Sequence, residues 1–192
     1  GIAGLALALR LRQRGVAPVV VERSRRLRDG GYMLGLADPG LDAAERLGVA
    51  DALRAARHVP RRLVYLDPAG RERFALDGPA IDRLVGDRRF NLLRGDIERV
   101  LYERVRGEVE VRFGASVESL EEKRDGLGVR LRDGEEIGCD LVVGADGLNS
   151  RVRALRFGPE ERFVRALGAR VAAFLIDRSE SPAAEPGTSY SM

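Results

Sequence analysis

An α/β fold built on a parallel sheet is predicted by three observations. Glycines at positions 1 and 4 run straight into an apolar helical stretch, "GIAGLALALRLRQRG". A short, continuously apolar run follows at 17–22, the pattern of a strand buried on both faces. A second such run, "CDLVVGADG" at 139–147, enters a Gly-Ala-Asp-Gly turn and then another helix. Glycine loop, helix and buried strand in this order define a Rossmann-like architecture of the dinucleotide-binding type.

The elements follow in order. Residues 2–14 form the first helix, stopped by Gly15, with Arg10, Arg12 and Arg14 at the end where cations suit the helix dipole. After the strand at 17–22 comes a polar, glycine-ended loop, "RSRRLRDGG". Two helical stretches are expected at 38–47, entered through Asp38-Pro39, and at 49–57. The segment 62–76 reads as a β-hairpin around Asp67-Pro68-Ala69-Gly70. A short strand at 90–93 precedes a helix from about 96 to 106, with Asp96 as its N-cap and Ile97, Val100, Leu101 and Val105 on one face. Three strands are expected between 108 and 132, with Arg-Asp-Gly turns at 124–126 and 132–134. A further strand is expected at 165–177, and the tail after it reads as loop.

Composition narrows the function. The length of 192 residues suits one domain, or one domain and part of another. Net charge is +3, but the arginines alternate with Asp and Glu, so no stripe for nucleic acid stands out. No apolar run approaches the ~20 residues of a membrane span, and no basic segment precedes residues 2–9 as in a signal peptide. Cys139 is the sole cysteine, which fits a reducing cytoplasm and reads as a small buried strand residue. His58 is the sole histidine and reads as a surface residue, so a histidine metal site or a Ser-His triad has nothing to build on. Any reaction is then carried by a bound cofactor.

The opening stretch suits phosphate. Loop glycines let the backbone approach a pyrophosphate closely, and the helix N-terminus offers free N–H groups to it. An acidic residue is then expected about 20 residues on, at the end of the next strand, for the ribose hydroxyls. Glu22 stands there, eighteen residues after Gly4. The same residues also suit a helix that packs closely through small residues, with Glu22 a solvated strand end. Asp146, in the turn after the later strand, lies where nucleotide ligands sit at the carboxyl ends of parallel strands, or is an ordinary turn residue.

The string "LVVGADGLNSRVR" (141–153) resembles the Asp-Gly fingerprint of class A flavoprotein monooxygenases, the p-hydroxybenzoate hydroxylase-like family. The other fingerprints stand in that family's order: Gly1 and Gly4, Glu22-Arg23, "LLRGDIERVLYERV", "GASV", then Gly-Ala-Asp-Gly. The resemblance runs from Gly1 to about residue 158. It implies an FAD-binding domain of 1–57 and 89–160, and part of a β-sheet substrate domain in 58–88 and 161–192. It further implies that the strand before Gly1, the Gly-Asp motif and most of the substrate domain lie outside this sequence.

Carried over residue by residue, the resemblance sets Gly1, Ile2, Ala3 and Gly4 at the FAD pyrophosphate. Glu22 is set at the adenosine ribose, Arg23 beside the adenine and Arg94 at the phosphate region. The backbone of Val117 is set at the adenine edge, and Asp146 with Gly147 in the turn that serves FAD and NAD(P)H. The loop from Arg28 to Gly31 matches the segment that passes near the flavin, where an arginine also serves NAD(P)H. The implied activity is an FAD-dependent, NAD(P)H-using monooxygenation of a small, often aromatic, substrate with O₂. On the same scaffold stand a flavin reductase or dehydrogenase, and a non-catalytic fragment. A flavin halogenase fits less well, because its tryptophan-containing signature has no counterpart here. No catalytic acid, base or metal ligand is named by the sequence, and neither is an oligomeric state.

Overall fold

The computed structural model describes residues 1–28, 32–86, 88–169, 171–172 and 187–191. The chain divides into two units, Gly1–Arg28 with Leu101–Ala172, and Asp29–Val100 with Ala173–Met192.

In the first unit, α1 (Ile2–Gln13) buries Leu5, Ala8 and Leu9, the i, i+3, i+4 spacing of one helix face. Gly15, at φ 80°, ends the segment in the left-handed region that a side chain resists. The chain returns as β1 (Val19–Glu22), which pairs in parallel with β6 (Glu110–Phe113), Val19 opposite Glu110 and Glu22 opposite Phe113. The parallel pairing expected of the run at 17–22 forms, but none of the β1 residues is buried and Val19 is exposed. Beyond it the link continues: Ala115 N–H donates to the Glu22 carbonyl at 3.1 Å, and Gly114 N–H to that of Ser24 at 2.9 Å.

A three-stranded antiparallel meander follows, β7 (Val117–Lys123), β8 (Gly126–Leu131) and β9 (Glu136–Cys139). Its turns fall at the two Arg-Asp-Gly sites, with Gly126 and Gly134 at positive φ. Val129 and Leu131 supply its buried side. Cys139, the last residue of β9, is only half-buried. The strand expected over 139–147 is not formed. Past Cys139, residues 140–147 carry no ladder among the described residues, and Leu141 and Val143 are exposed. An apolar run states a preference for burial, but a strand needs a partner for its backbone groups. After it, α6 (Arg151–Phe157) closes the motif.

The second unit holds β2 (Met33–Leu36), where no element is expected from sequence, antiparallel to β5 (Phe90–Leu93). Helices α2 (Asp38–Leu47) and α3 (Ala50–Ala55) bury Leu41, Ala44, Ala50 and Leu53. The hairpin at 62–76 forms as β3 (Arg62–Leu66) and β4 (Glu72–Asp77). Asp67 organises its turn, accepting from the N–H groups of Ala69 and Arg71 at 2.9 Å each. An unexpected helix, α4 (Gly78–Val85), follows at once, capped by Asp77 accepting from Ala80 N–H at 2.8 Å. The tail is not loop throughout: β10 (Thr188–Ser191) pairs in parallel with β3. Of the strand expected at 165–177, residues 165–169 and 171–172 are irregular, and the others lie outside the described residues.

Helix α5 (Arg94–Val105) gives Arg94–Val100 to the second unit and the remainder to the first. It begins two residues earlier than expected, so Asp96 sits inside its first turn and is not the N-cap. An acid is favourable there as well, facing the positive end of the helix dipole.

Candidate cofactor-binding site

The start of α1 is open. Gly1 is its N-cap without a side-chain hydrogen bond, and no acidic residue lies in the first turn. The first backbone bond runs from Leu5 N–H to the Gly1 carbonyl at 3.1 Å. The N–H groups of Ile2, Ala3 and Gly4 therefore have no acceptor within the helix. A methyl group added at Gly4 would stand 3.8 Å from the Ala145 Cβ, an ordinary contact. The protein's own packing thus does not force glycine at position 4, and the contact sets the start of α1 against the Gly144–Gly147 turn.

Glu22 ends β1 beside this opening. Its Oε2 accepts from the Gly1 nitrogen at 2.8 Å and its Oε1 from Ser24 N–H at 2.9 Å. The Ser24 N–H and the nearby Arg28 guanidinium favour the ionised carboxylate against its partial burial. A carboxylate has about four acceptor sites, so two remain for hydroxyl donors. Arg23 and Arg28 are exposed, and Arg28 Nε donates to Ser24 Oγ at 3.3 Å. Val117 opens β7 half-buried, opposite Leu131. Gly1 to Gly4, Glu22 and "GASV" are thus gathered at one end of the β1–β6 pair. Gly31 lies outside the described residues.

Asp146 is turned onto its own chain. Its Oδ1 accepts from Ser150 Oγ at 2.5 Å, and its Oδ2 from the N–H groups of Arg151 at 2.6 Å and Val152 at 3.1 Å. Ser150 Oγ in turn accepts from Arg153 N–H at 3.0 Å. Burial raises the Asp146 pKa, and the Ser150 hydroxyl with the backbone donors overcomes it, so the carboxyl lies below its ordinary range. Gly147 takes φ 83°, and a methyl group at Gly144 would lie 3.0 Å from the Val152 side chain. Gly147 is therefore favoured by the backbone of the turn, and Gly144 by the close approach of Val152. Behind α6 lies an apolar cleft of about 510 Å³, lined by Leu120, Val142, Val143, Val152, Phe157 and Phe163 among others.

In the second unit Arg94 is the first residue of α5, and its N–H donates to the Tyr32 carbonyl at 3.0 Å. Its Nη1 donates to Glu98 Oε2 at 2.8 Å, and the Glu98 side chain is 3% exposed. Sequence reasoning missed Glu98. The available signal was its place beside Ile97 and Leu101 on the buried side of α5. His58 is half exposed, with Nε2 3.5 Å from Asp96 Oδ2.

The arrangement in the first unit defines a class: a glycine-started helix and an acid-ended strand, as in dinucleotide-binding flavoproteins. Residues 1–181 match the FAD-binding domain family, and the chain belongs to that family. It is 35% identical over 176 residues to an uncharacterised protein of Mycobacterium tuberculosis, covering 91% of this chain and 47% of that one. It is 31% identical to a flavin-dependent monooxygenase of an unknown prokaryotic organism, covering 91% of this chain and 45% of that one. The chain thus spans about half the length of these curated relatives. Among solved structures it is similar to Klebsiella pneumoniae HpxO complexed with FAD and uric acid, with TM-score 0.64 and 29% identity, over 80% of this chain and 39% of that one. No helix among the described residues is long and apolar enough to cross a membrane.

Proposed function

We propose that this chain is the FAD-binding part of an NAD(P)H-using monooxygenase that hydroxylates a small aromatic substrate with O₂. The observation that carries the proposal is the uncapped start of α1 beside Glu22, with Gly1 nitrogen 2.8 Å from its carboxylate. Unpaired N–H donors suit phosphate, and a carboxylate with spare acceptor sites suits ribose hydroxyls, so the donor set fits a dinucleotide. In this reading Gly1, Ile2, Ala3 and Gly4 hold the pyrophosphate, Glu22 the adenosine ribose, and Arg23 lies beside the adenine. The Val117 backbone meets the adenine edge, Arg94 serves the phosphate region, and Arg28 and Gly31 belong to the loop near the flavin. Asp146 and Gly147 act through the turn that they hold in shape. The FAD-binding domain comprises 1–57 and 89–160, and 58–88 with 161–192 belong to a substrate domain, in a cytoplasmic enzyme.

Bound FAD supplies the redox and oxygen chemistry. The residues of this chain bind and orient it. Support comes from the family match and from the named relatives, among them a flavin-dependent monooxygenase. The test is made on the full-length protein, purified and assayed for retained flavin absorbance, then for NAD(P)H oxidation and incorporation of ¹⁸O from O₂ into product. Absence of flavin overturns the reading at its root. Flavin with substrate-dependent NAD(P)H oxidation but no labelled product points instead to a reductase or dehydrogenase.

A further inference from the structure

Helix α5 breaks two local rules at once. A cation, Arg94, occupies its first position, where the positive end of the dipole disfavours it. The pair Arg94–Glu98 also runs cation first and acid second, the less favourable order at i,i+4. The acid is moreover nearly inaccessible, 3% exposed against 21% for the Arg94 side chain. A buried carboxylate is tolerated only when it is paired, and Arg94 is one of the partners that Glu98 has. Arg94 spends a single side-chain N–H on this bond at 2.8 Å. Its other guanidinium donors have no acceptor among the described residues, in a planar fork that matches phosphate. Departures from local preference of this kind are expected where a residue is placed for function.

We propose that Glu98 is the positioning residue for Arg94, fixing its guanidinium so that the uncommitted donors grip a phosphate group of FAD. This rests on the FAD reading above and extends it to a residue that touches no cofactor.

The experiment uses the full-length protein stripped of flavin. FAD affinity is titrated well below the melting range, and the melting temperature of the apoprotein is recorded beside it. Arg94→Lys keeps a cation for Glu98 but removes the fork; it is expected to melt near the wild type and to bind FAD about tenfold more weakly. Glu98→Gln is expected to weaken FAD by a similar factor, and Arg94→Gln/Glu98→Gln by no more than the larger single loss. The double variant removes both charges of the pair, so it remains testable if Arg94→Gln alone does not fold. Unchanged FAD affinity in Arg94→Lys and in the double variant overturns the phosphate reading of Arg94, and the proposal with it. If Arg94→Lys weakens FAD while Glu98→Gln lowers only the melting temperature, Arg94 stands and Glu98 is structural. Losses that add in the double variant likewise overturn the coupling.

Discussion

Two helix starts in the first unit have almost the same sequence logic and opposite chemistry. Helix α1 follows Gly-Ile-Ala-Gly, and α6 follows Gly-Ala-Asp-Gly and Ser150. At α1 no side chain caps the helix and no acid enters its first turn. At α6 Ser150 and Asp146 together satisfy Arg151, Val152 and Arg153 N–H. An open helix start keeps its donors and its dipole for an incoming anion, whereas a closed one has spent them on its own stability. Glycine-rich turns entering helices are therefore not equivalent signals. What separates them is whether a short polar side chain stands within reach of the first N–H groups.

The largest expected effect breaks the open start. Ala3 is exposed in the first turn of α1, so Ala3→Asp adds a carboxylate that the helix itself welcomes. FAD affinity is expected to fall about hundredfold, or about 2.7 kcal/mol, with apoprotein stability unchanged or raised. Titration of the stripped protein checks this, and an unaltered affinity would place the phosphates elsewhere. Next in size is the closed start. Asp146→Ala removes the acceptor of three donors and is expected to lower stability by about 2 kcal/mol, and to weaken FAD less than Ala3→Asp because it acts only through the turn.

The pH dependence of that loss follows from the lowered Asp146 pKa. A carboxyl with a folded-state pKa below its ordinary value of 3.8 stabilises the fold at pH above that value. The contribution disappears as pH falls through the folded-state value. The stability difference between wild type and Asp146→Asn should thus be level above about pH 5 and shrink as pH falls below it, read from denaturant melts at each pH. Smaller again is Glu22→Gln, which keeps one carbonyl acceptor and loses the charge. It is expected to weaken FAD about tenfold while leaving Asp146→Ala stability losses additive, because the two carboxylates share no hydrogen bond.

Much of the first unit was legible because its signals are local. Gly15 stops α1, Glu22 ends β1, and two Arg-Asp-Gly turns space the meander, each through a residue whose own conformation or charge dictates the break. What escaped depended on partners. The apolar run 139–147 promises a strand, but beyond Cys139 it carries no ladder among the described residues, since periodicity encodes burial and not pairing. Strand β10 lies in a segment that looks like tail because "TSYS" becomes a strand only beside β3. Helix α4 was hidden by Gly78-Pro79, which look like breakers, although proline is at home in a first turn capped by Asp77. At the site, the glycines and Glu22 were visible as a spacing. Glu98 was not, because a glutamate among arginines reads as solvated until the fold buries it.

The smallest effect sharpens the contrast most. Ser150 Oγ donates to Asp146 Oδ1 and accepts from Arg153 N–H, so Ser150→Ala removes one link from each side of the cap. Arg151 and Val152 N–H keep their bonds to Asp146 Oδ2, and the cost is expected to be about 1 kcal/mol, less than for Asp146→Ala. Without the hydroxyl the Asp146 carboxyl loses a stabilising donor, so its pKa rises and the acid-sensitive limb of the melt moves to higher pH. Because both residues share one hydrogen bond, the double variant should lose less than the two single losses together. FAD affinity should fall less than in Ala3→Asp throughout, as the first N–H groups of α6 are already spent on its own cap. If Ser150→Ala instead weakens FAD as severely as Ala3→Asp, the closed start belongs to the cofactor site after all, and capping alone does not tell the two helices apart.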